Sequence, residues 1–137
     1  MNAPLANIAI VDDHHMIREV IRSLLVNLGY KVVLEAGNGK RLLEKLQTTR
    51  PPDICLLDIN MPEMNGFETV KQLKKNYPDI QILVFSMNTE SSSVKKMKAL
   101  GVAGFLPKTS SMEQIHAALS GIVNRSSKVP GALAVSD

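Results

Sequence analysis

The 137-residue chain has no tryptophan and one cysteine, Cys55. A lone thiol excludes an intrachain disulfide and a cysteine-based zinc cluster. Aromatic residues make up only 4% of the chain, so its core has to be aliphatic. Hydrophobic residues still reach 45%, enough for a packed domain rather than a disordered chain. A large excess of one charge is also missing. The net formal charge is +3, too weak to argue for direct nucleic-acid binding. No apolar run approaches the ~20 residues of a membrane span. The opening MNAPLANIAIVDD lacks the basic and apolar regions of a signal peptide. The expectation is one soluble, cytoplasmic domain with no membrane partner.

What is present is a rhythm. Five short apolar runs cover Ala6–Val11, Lys31–Ala36, Asp53–Leu57, Ile80–Phe85 and Ala103–Leu106. Stretches of helical period separate them. Met16, Ile17, Val20, Ile21, Leu24, Leu25 and Leu28 recur at three and four, as on one face of a helix. Gly29 suits the end of that helix, where a positive φ is common. Leu42, Leu43 and Leu46 mark a second helix; Phe67, Val70 and Leu73 a third. Val94, Met97 and Leu100 mark a fourth, and Ile115, Ala118, Leu119 and Ile122 a fifth. The pattern is (βα) five times over. The first, third and fourth runs are almost continuously apolar, as strands buried on both faces are. The fold class is therefore α/β, a doubly wound five-stranded parallel sheet with five helices. The serine-rich Glu90–Ser93 predicts a weak start to the fourth helix. Residues 1–125 read as the folded domain. Residues 126–137, with Pro, Gly and Ser and no period, read as a flexible tail or linker stub.

In sheets of this class, ligands bind beyond the carboxyl ends of the strands. The first run ends in Asp12-Asp13, the third in Asp58 and the fourth in Ser86, while Lys108 follows the fifth. Carboxylates gathered in one cleft repel, and without a cation at least one takes up a proton. A divalent ion removes the conflict. An all-oxygen ligand set with no His or Cys cage favours Mg²⁺ over zinc or copper. A lysine and a hydroxyl opposite the metal complete a phosphoryl clamp. The central carboxylate then serves as a nucleophile that forms an aspartyl phosphate. His14-His15 read as the start of the first helix rather than as metal ligands. The lysines at 71, 74, 75, 95, 96 and 98 read as solvated helix faces. Cys55, in the run Ile54-Cys55-Leu56-Leu57, reads as a small buried hydrophobe.

The motifs Val11-Asp12-Asp13, Asp58-Ile59-Asn60-Met61-Pro62 with Asn65-Gly66, Ser86, and Gly104-Phe105-Leu106-Pro107-Lys108 resemble the receiver domain of two-component response regulators. The likeness runs over roughly residues 6–124. VDDHHMIREVI and GVAGFLPKTSS are most similar to the subfamily usually fused to a helix-turn-helix DNA-binding domain. The resemblance implies a flavodoxin-like receiver fold with strand order 2-1-3-4-5. With strands ~4.8 Å apart, Asp58 then lies one strand from Asp12-Asp13 and Ser86 one strand to the other side. Lys108 lies two strands out, a distance a lysine side chain can span.

The resemblance also implies roles. Asp58 accepts phosphate from a sensor histidine kinase or phosphotransfer protein. Asp13, Asp58 and the backbone carbonyl of Asn60 bind Mg²⁺, with Asp12 acting through water. Ser86 and Lys108 hold the phosphoryl group, and Phe105 is the switch aromatic. The output is an altered surface on the fourth helix, fifth strand and fifth helix, presented to a downstream protein. Phosphorylation-dependent homodimers are common in such proteins. The chain reads as a natural single-domain regulator or as the receiver portion of a transcription factor.

Two positions depart from the family pattern. Thr109 follows Lys108 where proline, often in a cis peptide, is usual; without proline a cis bond costs roughly 3 kcal/mol. Met87 follows Ser86 where a small residue is usual, and is expected to obstruct the phosphoryl site. They keep open a degenerate receiver that acts by protein binding without phosphorylation. A Mg²⁺-dependent aspartyl-phosphate phosphohydrolase fits less well. That class carries a second Asp two residues after the nucleophile, and Asn60, an amide, cannot shuttle a proton. A flavin or nucleotide module would need a glycine- or hydroxyl-rich anion loop where Asp12-Asp13 stands. The expectation is a signalling phosphoacceptor rather than an enzyme.

Overall fold

The computed structural model describes residues 3–125; residues 126–137, read above as a tail, lie outside the described part. Ten elements alternate: β1 Asn7–Val11, α1 His15–Asn27, β2 Lys31–Ala36, α2 Gly39–Leu46, β3 Ile54–Leu57, α3 Gly66–Asn76, β4 Gln81–Ser86, α4 Ser91–Ala99, β5 Gly104–Pro107 and α5 Met112–Arg125. The strands form one parallel sheet in the order β2-β1-β3-β4-β5. Strand ends fall within one residue of the apolar runs, so Ser86 and Pro107 close their strands rather than follow them.

Alternation inside the apolar runs explains the two-sided burial. Successive side chains of a strand point to opposite faces. Ile8 and Ile10 of β1, Ile54 and Leu56 of β3, and Leu83 and Phe85 of β4 pack with Ile21 and Leu25 of α1 and with Ile115, Leu119 and Ile122 of α5. The intervening Ala9 and Val11, Cys55 and Leu57, and Ile82 and Val84 pack with Leu42 and Leu46 of α2, Val70 and Leu73 of α3, and Met97 of α4. A fully buried residue such as Leu25 or Leu57 contributes roughly 1.5–3 kcal/mol by leaving water. The two cores hold the three central strands rigidly, which fixes whatever stands at their ends. The flanking strands differ: β2 is only partly buried and β5 is half-buried throughout.

Local signals set the helix ends. Asn38 and Asn65 cap α2 and α3 by accepting the N–H of Arg41 and Glu68. Gly29, with φ of 100°, follows α1 as expected. At the N-cap of α4, Glu90 makes no side-chain cap bond, as His14 makes none at α1. Among the described residues, no helix is long and apolar enough to cross a membrane, and no peptide bond is cis, so Lys108–Thr109 is trans.

Candidate metal and phosphoryl centre

The sheet ladder continues one step past the strands and so sets the site. Val11 pairs with Leu57 at the last rung of β1 and β3. Beyond it, the Asp58 N–H donates to the Val11 carbonyl at 2.9 Å and the Asp12 N–H to the Ala36 carbonyl at 3.0 Å. On the far side the Lys108 N–H donates to the Ser86 carbonyl at 3.0 Å. Asp12, Asp58, Ser86 and Lys108 therefore stand at one edge, held by main chain. The loop after Asp58 folds back tightly: the Gly66 N–H donates to the Ile59 carbonyl at 2.7 Å. A Cβ at Gly66 would come within 2.5 Å of the Asp58 carbonyl oxygen, so only glycine fits there.

The side chains converge as their types suggest. Asp58 is 5% exposed, Asp12 3% and Ser86 fully buried. One Asp58 oxygen, Oδ1, accepts the Ile59 N–H at 2.8 Å. The other, Oδ2, accepts Lys108 Nζ at 3.1 Å, while the same ammonium lies 2.5 Å from Asp12 Oδ2. Lys108 thus spans the predicted distance and bridges two carboxylates. Burial alone would lower its pKa. The hydrogen bond and charge of Asp12, joined by those of Asp58, outweigh that and hold it above the ordinary lysine value. The ligand atoms of Asp12, Asp13, His14 and Asp58 all lie within 4.8 Å of one another. This donor set fits a divalent cation: three carboxylates on one rigid edge, already drawing an ammonium between two of them.

The remaining expected residues lie as follows. Ser86 Oγ accepts the Asn88 N–H at 3.1 Å. Asn60 is exposed two residues past Asp58; with Met87, Asn88, Thr89 and Glu90 it lines a hollow of about 450 Å³. Met87 is 68% exposed at that rim. Phe105 is half-buried, opposite Val84 in the sheet.

Three neighbours of the edge were not legible as such. The sequence reads His14 as the start of a helix rather than as a metal ligand. Its ring Nδ1 stands 3.1 Å from Asp12 Oδ1 and 3.2 Å from Asp13 Oδ1, so it belongs with the acidic group. Arg18, one turn into α1, donates to the Asp12 carbonyl at 2.5 Å, and its Nε lies 3.6 Å from Glu35 Oε1. Glu63 adopts a φ of 64° in the loop after Asp58 and accepts a bond from Asn38 Nδ2 at 3.2 Å. For the first two, the signal was adjacency to the acidic pair and the four-residue step of a helix. Nothing in Pro62-Glu63-Met64 marks the left-handed turn.

Known proteins share this sequence pattern and fold. A sequence model described as response regulator receiver domain matches residues 8–120. The transcriptional regulatory protein DegU of Brevibacillus brevis is 34% identical, over 79% of this chain and 46% of its own. Chemotaxis protein CheY of Thermotoga maritima is 34% identical, over 84% of this chain and 95% of its own. The crystal structure of a LuxR-family two-component response regulator from Aurantimonas sp. SI85-9A1 superposes with a TM-score of 0.81 at 30% identity, covering 88% of this chain and 86% of that one. The chain spans about half the length of DegU and of another curated relative, the response regulator UvrY of Escherichia coli. Fold, site and relatives together place the chain in the response regulator receiver domain family of two-component systems.

Proposed function

We propose that the chain is a Mg²⁺-dependent phosphoacceptor switched at Asp58. The observation that carries this reading is the Asp12–Lys108–Asp58 bridge: a buried carboxylate at the sheet edge, with an ammonium on one side and an acidic group on the other. Asp12, Asp13, Asp58 and the Asn60 carbonyl would hold the ion. When bound, Mg²⁺ neutralises the charge that gathers between carboxylate and phosphoryl oxygens. Asp58 attacks phosphorus, the bond from phosphorus to the donor breaks, and an acyl phosphate remains on the side chain. A histidine kinase or phosphotransfer protein is the donor. Lys108 then exchanges a carboxylate partner for a phosphoryl oxygen, and the Ser86 hydroxyl supplies a second bond.

Such bonds suffice for a switch. A hydrogen bond to a charged group contributes about 1.5–3 kcal/mol. Moving a population from 1:99 to 99:1 takes about 5.5 kcal/mol. Two or three new bonds reach that figure. The biased element is α4, which lacks a side-chain cap, with Phe105 and β5 beside it. The output is a changed α4, β5 and α5 surface for a downstream protein.

Amide spectra of the chain with Mg²⁺ and beryllofluoride, a phosphoryl mimic, test this reading. Shifts are expected at Asp58, Ser86 and Lys108 and across α4, β5 and α5. An unperturbed spectrum, or one that Asp58→Asn leaves equally responsive, refutes it.

A further inference from the structure

The acidic edge contains a donor that is not oxygen. His14 Nδ1 faces Asp12 Oδ1 at 3.1 Å and Asp13 Oδ1 at 3.2 Å. Its own main chain is fixed, because the His14 N–H donates to Asp12 Oδ1 at 2.9 Å. Helix α1 starts at the next residue, and His14, its N-cap, gives no side-chain cap bond. The ring is therefore not committed to the helix, and 63% of the side chain is exposed. It can turn about its own side-chain torsions while its attachment point stays in place.

A hydrogen bond to Asp12 and an ion pair with Asp13 turn the ring toward both carboxylates. With Asp58, their ligand atoms form one group in which all lie within 4.8 Å of one another.

We infer that His14 is a nitrogen ligand of the divalent-cation site and raises its affinity for later first-row transition ions relative to Mg²⁺. The inference rests on the cation site proposed above and adds to it a ligand and a selectivity. Mg²⁺ prefers oxygen ligands and keeps several waters, so an imidazole adds little to its binding. Along the series from Mn²⁺ to Ni²⁺ affinity rises, and imidazole suits the later ions. One nitrogen among carboxylates therefore widens the gap in affinity between the two kinds of ion.

Calorimetric titration of the full 137-residue chain with Mg²⁺ and, separately, with Co²⁺ tests the inference, without reference to phosphorylation. His14→Ala is expected to weaken Co²⁺ binding by ~10-fold or more and Mg²⁺ binding far less, so that the ratio of affinities falls. His15→Ala, one residue along and outside the acidic group, is expected to leave the ratio unchanged. In proton spectra, Co²⁺ is expected to shift and broaden the His14 ring signals before those of His15 and His116. Thermal unfolding checks that the exposed His14 is replaced without loss of the fold; if Ala unfolds the chain, His14→Gln serves in its place. An unchanged ratio in the His14 variant, or an equal fall in the His15 variant, overturns the inference. If Mg²⁺ binds, Asp58→Asn weakens both ions and the ratio ignores His14, only the nitrogen ligand is refuted. If neither ion binds the parent chain, the proposed cation site is refuted along with it.

Discussion

Cys55 shows how a single residue reports on the core. It lies on β3 between two buried neighbours, and burial pushes its thiol up to about 12. The thiolate is the reactive form, so folded protein is expected to resist iodoacetamide at pH 8 while urea-unfolded protein is alkylated. Rapid labelling of the folded chain would contradict the burial. The same shift has a signed consequence. The folded pKa is raised, so its contribution to stability is complete below the unfolded value near 9 and is lost as pH rises toward about 12. Tyr30, raised by burial, acts in the same direction at higher pH. Urea unfolding at pH 8 and pH 10 should show a loss of ~1 kcal/mol from Cys55. Cys55→Ala should flatten that slope while lowering absolute stability. Gly66 makes a second case. Gly66→Ala meets backbone at Asp58 and Ile59, so a loss of about 1–3 kcal/mol is expected. Amides around Asp58 should shift more than those of α5; a neutral substitution would contradict the close approach.

The helices differ in how their ends are secured. Asn38 and Asn65 cap α2 and α3, but Glu90 gives α4 no side-chain cap. Glu90→Ser should therefore stabilise the fold by about 0.5–1 kcal/mol, measured as a rise in urea midpoint with unchanged slope. No gain, or a loss, would mean that α4 is not limited by its first turn. The serine-rich start of α4 was legible in the sequence as low helix propensity, whereas the missing cap at Glu90 shows only in the structure. The strands were legible too, since almost continuously apolar runs announce a sheet covered on both sides. What stayed hidden was local geometry without a composition signal. Glu63 turns left-handed with no glycine to mark it. Arg18 looked like an ordinary polar position of α1 until the fold brought Asp12 and Glu35 to it. His14 was read by its place in the chain, and its partners depend on how the turn after β1 aims the ring.

At the scale of the whole molecule, the two cores hold three strands in register so that Asp12 and Asp58 meet one step beyond them. That meeting was legible because polar residues end or follow four of the five strands, and a parallel sheet brings such ends to one side. An ion that binds the folded edge but not the unfolded chain must stabilise the fold. At a hundredfold excess over its dissociation constant the gain is about 2.7 kcal/mol. Thermal unfolding with and without Mg²⁺ should show a higher midpoint with the ion, and Asp13→Asn should abolish most of the shift. An equal shift in that variant would place the ion elsewhere.

The central claim is that Asp58 takes the phosphoryl group. Its most direct test is intact mass spectrometry of the chain after incubation with a small acyl-phosphate donor, with Mg²⁺ and with chelator. The account predicts one added phosphoryl group with Mg²⁺, and none with chelator or in Asp58→Asn. An adduct that persists in Asp58→Asn, or no adduct in the parent chain with Mg²⁺, would contradict it.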